Sequence, residues 1–117
     1  MSEIRLYHNP SCSKSRGALA LLNEKGVDVE VVEYLDSPPG RAELEKILAL
    51  LPDPPSALVR HDKHFESLGL DPDAYTSAEE VVALLLGRPR LVQRPIALGE
   101  EKALIGRPSE RVLELVG

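Results

Sequence analysis

A strand–helix–strand pattern occupies the first third of the chain, and it restricts the possible folds more than any other feature. Residues 3–7 alternate polar and apolar side chains, and residues 29–34 are rich in β-branched ones, so both segments are predicted to be strands. Leucines at helical spacing over residues 13–25 predict a helix that ends at Gly26. Strands joined by a helical crossover run parallel, which indicates an α/β protein.

The middle of the chain, at about residues 36–90, is predicted to be a helical insertion. Residues 41–51 carry apolar side chains at i, i+3, i+4 and i+7, as one face of a helix does. A short helix is expected at residues 56–60. Ser77 and Glu80 have the spacing of a capping box, which predicts a helix from there to about residue 86.

The end of the chain returns to β structure. Residues 95–98 and 102–106 are predicted to form an antiparallel hairpin with a turn at residues 99–100, and Pro108 opens a last helix. The predicted order is βαβ, helical insertion, ββα, with a mixed four-stranded sheet in a single domain over residues 1–117.

Charge and composition exclude several classes of function. The formal net charge is −5, which disfavours nucleic-acid binding because that needs a basic surface. No apolar run approaches the roughly 18 residues that span a bilayer, and no signal peptide is recognisable at the start. A single cysteine excludes a disulfide framework within the chain. We therefore expect a cytoplasmic protein that does not bind membranes.

The single cysteine, Cys12, lies in the segment HNPSCSKSR, where the first strand meets the first helix. Ligands bind at this junction in α/β sheets, and the unpaired N–H groups of a helix start attract anions such as a thiolate. Lowering a thiol pKa by about two units needs roughly 2.7 kcal/mol, whereas a helix terminus contributes about 0.3–1 kcal/mol, up to roughly 2. His8 or the Ser15 hydroxyl could supply the rest. A lone cytosolic cysteine is more often a buried apolar residue, so both interpretations stay open.

Spacing around Cys12 excludes several known chemistries. Ser15 stands where a C-x-x-C motif would have its second cysteine, and Ala18 stands where a C-x5-R anion loop would have its arginine. No glycine-rich phosphate loop occurs. His61 and His64 have no evident third ligand, so no metal site is predicted.

Four segments occur in this order along the chain: HNPSCSKSR, LVRHDKHFESLGL, LVQRPIAL and IGRPSERVLELV. Together, from residue 4 to about residue 116, they resemble the glutaredoxin-coupled arsenate reductase family. The resemblance implies a thioredoxin-like fold. Related branches that regulate RNA polymerase tend to carry C-x-x-C, which this chain lacks, and arsenate reductases of the family often continue after the final helix with a charged tail.

The resemblance also implies roles for residues near the cysteine. Cys12 corresponds to the attacking thiolate, His8 to a histidine that stabilises it, and Ser15 to a hydroxyl near the sulfur. Pro95 corresponds to a proline that thioredoxin-like folds hold in the cis form. The expected substrate-binding residues are three oxyanion-binding arginines: Arg60, Arg94 and Arg107.

The function implied by the resemblance is reduction of arsenate to arsenite. Glutathione would be the co-substrate and glutaredoxin the protein partner, and no bound cofactor is expected. The alternatives are a glutathione-dependent thiol oxidoreductase and a regulatory binding protein of the same fold. The thiol oxidoreductase is an alternative because Cys12 and Ser15 form a C-x-x-S arrangement that resembles that of monothiol glutaredoxins. Three oxyanion-binding arginines would distinguish the reductase from the thiol oxidoreductase, and an ordinary thiol pKa of Cys12 would favour the regulator.

Overall fold

The computed structural model describes residues 4–116, whose strands form one mixed four-stranded sheet in the order β2-β1-β3-β4. β1 pairs in parallel with β2 and antiparallel with β3, and β3 pairs antiparallel with β4. The predicted α/β class, thioredoxin-like fold and mixed sheet are confirmed. Residues 1–3 and 117, including the predicted start of the first strand at Glu3, lie outside the described residues. The strands are β1 Ile4–His8, β2 Val29–Glu33, β3 Ile96–Leu98 and β4 Ala103–Ile105.

Residues 4–116 contain four α-helices, which pack around the sheet, and three of them lie between β2 and β3, within the predicted insertion. The capping box predicted for the last of these is confirmed: the Ser77 hydroxyl accepts the Glu80 N–H, and the Glu80 carboxylate accepts the Ser77 N–H. The helices are α1 Ser13–Glu24, α2 Arg41–Leu50, α3 Lys63–Ser67 and α4 Ala78–Gly87. In the described part of the chain, none is long and apolar enough to cross a membrane.

The two faces of the sheet are buried by different elements. On one face Ile4 and Leu6 of β1 pack with Ala18 and Leu22 of α1 and with Val112 near the end of the chain. On the other face Tyr7 of β1 belongs to a larger cluster formed with the helical segment between β2 and β3. The alternation of β1 side chains therefore places α1 and the inserted helices on opposite sides of the sheet.

Two predicted helices differ from the structure in type or length. The last one, Ser109–Leu115, is a 3-10 helix. The sequence did not predict this type, because apolar spacing does not separate i+3 from i+4 hydrogen bonding. The one predicted at residues 56–60 is a 3-10 helix over Pro55–Leu58. It stops because Val59 pairs with Val92 in an isolated antiparallel bridge.

The hairpin turn lies one residue later than predicted. Gly99 still pairs across the hairpin, since its N–H donates to the carbonyl of Lys102 at 2.8 Å. The two turn residues are therefore Glu100 and Glu101 rather than Gly99 and Glu100. The antiparallel pairing itself is confirmed, with Leu98 opposite Ala103.

Gly106, just after β4, packs directly against Pro95, just before β3. A Cβ atom on Gly106 would lie 2.7 Å from Cγ of Pro95 and 3.1 Å from Cγ1 of Val112. The backbone of Gly106 also donates to the Pro95 carbonyl at 2.9 Å. Only glycine fits between these neighbours without a shift of the segment that carries Arg94 and Arg107.

We expect the Gly106→Ala variant to lower the free energy of unfolding by about 1–3 kcal/mol, because the added methyl overpacks the contact with Pro95. Urea denaturation measures the change. Gly87→Ala is the matched control, since a Cβ at that helix end meets nothing within 4 Å. Equal stability of both variants would contradict the expectation.

Candidate active site at the start of the first helix

Cys12 is half-buried and forms the N-cap of α1, directly after the tight turn that follows β1. The Cys12 N–H donates to the Asn9 carbonyl at 2.9 Å, and the Asn9 side chain accepts the Ser11 N–H at 2.9 Å. The Arg16 guanidinium donates to the Pro10 carbonyl at 3.0 Å. These bonds hold the turn, so the sulfur sits in front of the free N–H groups of the first helical turn.

The pKa of the Cys12 thiol is lowered from its ordinary value. Burial raises the pKa, but the N–H groups of Ser15 and Lys14 and the positive charge of Arg94 together outweigh burial. A lower pKa means a larger thiolate fraction at neutral pH, and the thiolate is the nucleophilic form. The helix start and Arg94 thus lower the pKa of Cys12 together, whereas the helix alone would not lower it enough.

Arg107 adds a second guanidinium beside the sulfur. Its Nη2 lies 3.7 Å from Cys12 Sγ, and its Nε donates to the backbone carbonyl of Arg94 at 2.8 Å. The peptide bond between Arg94 and Pro95 is cis in the structure. Arg94, which precedes β3, and Arg107, which follows β4, both lie beside the same sulfur.

Arg60 joins this group through the bridge between Val59 and Val92. The Arg60 N–H donates to the Leu91 carbonyl at 2.7 Å, so the chain at Arg60 runs alongside the segment that leads to Arg94. Burial and the charges of Arg94 and Arg107 lower the pKa of Arg60, as expected for crowded cations. The structure thus brings together all three arginines singled out in the sequence, hereafter the arginine cluster (Arg60, Arg94 and Arg107).

His8 and Ser15 are both buried next to the turn. Burial lowers the pKa of His8, which favours the neutral imidazole. The Ser15 hydroxyl accepts the Asn9 N–H at 3.1 Å, while the backbone N–H of Ser15 lowers the pKa of Cys12. Ser15 thus stabilises the turn through its hydroxyl and the Cys12 thiolate through its backbone N–H. The stabilisation of the thiolate by His8 stays a prediction.

Tyr34, which sequence analysis did not single out, lies at the same edge of the site. Its ring is fully buried, and its hydroxyl faces Asn9 and Arg94 without completing a hydrogen bond to any described residue. His8 Nδ1 and Arg94 Nε also lack partners within residues 4–116. The position of Tyr34 just after β2 was the available signal, because β2 ends at the same sheet edge as β1.

Other features of the surface do not suit an anion. A hollow of about 530 Å³ near the hairpin turn is lined by Glu100, Glu101 and Glu114, whose charges repel anions.

The His61 ring packs edge-on against Phe65, with ring centroids 4.8 Å apart. Within the described residues, no group of three His, Cys, Asp or Glu side chains is placed to hold a metal ion.

Comparison with known proteins finds relatives over nearly the whole chain. The model of the ArsC family matches residues 7–115. The chain is 43% identical to an arsenate reductase of Neisseria meningitidis, covering 96% of this chain and 97% of that protein. It is 41% identical to an uncharacterised protein of Escherichia coli K12, covering 98% of each. The solved structure of an arsenate reductase from Vibrio cholerae superposes with a TM-score of 0.86, at 35% identity and 98% coverage of both chains.

The rate of Cys12 alkylation by iodoacetamide should rise with pH as the thiol ionises. An ordinary thiol ionises at a pH of about 8.5, and we expect the inflection for Cys12 at a lower pH. Because Arg94 lowers the pKa of Cys12, Arg94→Gln should move the inflection to higher pH and slow alkylation at pH 7. Arg41→Gln, at an exposed position on α2, is the control. An unmoved inflection in Arg94→Gln would refute this account of the thiolate.

We expect Tyr34→Phe to raise the free energy of unfolding by about 1 kcal/mol, because it removes a buried hydroxyl that has no described partner. Tyr7→Phe should lower it by a similar amount, since the Tyr7 hydroxyl donates to the Glu43 carboxylate at 2.6 Å. Thermal or urea unfolding of both variants checks the opposite signs. A loss of stability in Tyr34→Phe would show that its hydroxyl is paired in solution.

Proposed function

The chain belongs to the ArsC family, and we propose that it reduces arsenate to arsenite with the Cys12 thiolate as the attacking group. The observation that carries the proposal is the contact of Cys12 Sγ with Arg107, at 3.7 Å, beside a helix start. The nucleophile, Cys12, thus lies next to a guanidinium that could bind an oxyanion, as attack on a bound oxyanion requires.

The arginine cluster is proposed to bind arsenate. Guanidinium groups offer planar pairs of N–H donors that match the oxygens of a tetrahedral anion. Three of them counter the repulsion expected from the net charge of −5. They also face developing negative charge when the sulfur attacks, which is where electrostatic stabilisation speeds a reaction most.

In the first step the Cys12 thiolate attacks arsenic and forms an S–As bond, and one arsenate oxygen leaves as hydroxide or water. Arsenic remains As(V) in this adduct. The lowered pKa of Cys12 supplies the thiolate for this step. In the last step, when the S–As bond is cleaved, the low pKa of Cys12 also makes its sulfur a better leaving group.

The two electrons are proposed to come from external thiols, since Cys12 is the chain's single cysteine. Glutathione displaces a second oxygen from arsenic and forms another As–S bond. A glutaredoxin thiolate then attacks the glutathione sulfur; the As–S electron pair stays on arsenic, giving As(III) and a glutaredoxin–glutathione disulfide. Water cleaves the remaining S–As bond, releases arsenite and regenerates Cys12.

The cycle consumes reduced thiols, so we propose that the protein works in the cytoplasm, where such thiols are kept reduced. It requires no bound cofactor in this scheme. Glutathione enters as co-substrate, and glutaredoxin as a protein partner.

Thiol exchange without arsenate is the alternative for the same cysteine. A glutathione-dependent oxidoreductase would use Cys12 and the nearby helix start, but it has no need of the arginine cluster. A purely regulatory binding protein has no need of a lowered pKa at Cys12. The presence of both features together favours the reductase.

Arsenate-dependent oxidation of NADPH, with glutathione, glutaredoxin and glutathione reductase present, tests the proposal. We expect activity in the wild type and background rates in Cys12→Ser. Arg107→Gln should lower kcat/KM by about a hundredfold, because it removes an oxyanion donor. Arg41→Gln is the control for loss of a surface arginine.

Arsenate reduction that persisted in Cys12→Ser would refute the proposed mechanism. A wild type that ignores arsenate but reduces glutathionylated peptides would instead be a thiol oxidoreductase.

A further inference from the structure

Asp62 forms an ion pair with Arg60, one member of the arginine cluster. The distance from Arg60 Nη2 to Asp62 Oδ2 is 3.0 Å, and both side chains are only partly exposed, at 23% and 31%. Within residues 4–116 the other two members of the cluster form no ion pair with a carboxylate; the remaining pairs involve Arg5 and Arg111. Arg60 is therefore the member whose charge is already compensated inside the protein.

The carboxylate of Asp62 is held in place by a second task. Asp62 is the N-cap of α3, and its Oδ1 accepts the N–H of Phe65 at 3.1 Å. One oxygen thus starts a helix while the other faces Arg60. The Phe65 ring is buried in the core, which fixes the helix and with it the carboxylate.

An oxyanion bound by the cluster would compete with this carboxylate for the Arg60 guanidinium. Both are negative, both accept hydrogen bonds from the same N–H groups, and the fixed Asp62 cannot move far from the site. Like charges a few ångströms apart in a partly buried site repel each other. The competition weakens binding of any small oxyanion, including phosphate, which is nearly identical to arsenate in shape and charge.

We propose that Asp62 is an internal counterion that lowers the affinity of the arginine cluster for oxyanions. This inference rests on the proposed function, because it assumes that the cluster binds such anions. Weak ground-state binding keeps phosphate from occupying the site and leaves the discrimination between the two anions to the reaction of the thiolate. Asp62 acts through Arg60, so it is a positioning and affinity-setting residue.

The Asp62→Asn variant isolates this role. Asparagine caps helices about as well as aspartate, so α3 should keep its N-cap while the charge is lost. Asp71→Asn is the matched control: Asp71 also caps a short helix, by accepting the Asp73 N–H at 3.0 Å, and the substitution changes the net charge equally.

Titration calorimetry with inorganic phosphate, and with arsenate in the absence of thiols, measures the affinities. We expect Asp62→Asn to bind both anions about three- to tenfold more tightly than the wild type at low ionic strength, and the gain to shrink as salt is added. Asp71→Asn should bind like the wild type. Protection of Cys12 from iodoacetamide by the same anions gives an independent readout of occupancy at the sulfur.

Unchanged or weaker binding by a folded Asp62→Asn variant, with a wild type that does bind, would overturn this inference alone. A gain that Asp71→Asn shares would overturn it too, because the effect would then reflect net charge. A wild type that binds neither anion would overturn both the inference and the proposed function.

Discussion

The attachment of α1 to the end of β1 is the constraint on which the rest of this molecule depends. The turn closed by Asn9 and Ser15 places the sulfur of Cys12 in front of the unpaired N–H groups of the helix. The helix cannot swing away, because Ala18 and Leu22 are buried against the sheet and the Ser109 hydroxyl donates to the Lys14 carbonyl at 2.8 Å. The electrostatic setting of the thiol is therefore part of the core packing.

Crowded positive charge is the second organising feature, and it has a cost. Arg60, Arg94 and Arg107 repel one another; burial lowers the pKa of Arg60 most, and the charges of the other two arginines lower it further. The thiolate of Cys12 and the carboxylate of Asp62 offset part of that repulsion in the free protein. The remaining excess of positive charge attracts small anions, as the proposed binding of an oxyanion requires.

Unpaired polar atoms mark the same region of the structure. Three buried polar atoms have no hydrogen-bond partner within residues 4–116: His8 Nδ1, Tyr34 Oη and Arg94 Nε. Such atoms cost about 1–3 kcal/mol each and are rare in folded proteins. Their concentration around one cysteine is consistent with a site that gives up stability for function.

Local sequence alone determined the elements with strong periodicity or local caps. The βαβ start, the capping box of Ser77 and Glu80, and the position of Cys12 at a strand–helix junction follow from residues near each other in the chain. Tertiary structure decided what depends on distant segments: the bridge from Val59 to Val92 that ends one helix and brings Arg60 to Arg94, and the pairing that shifts the hairpin turn. The physical reason is range. Periodicity and caps act within a few residues, whereas convergence of charges depends on how segments dozens of residues apart pack.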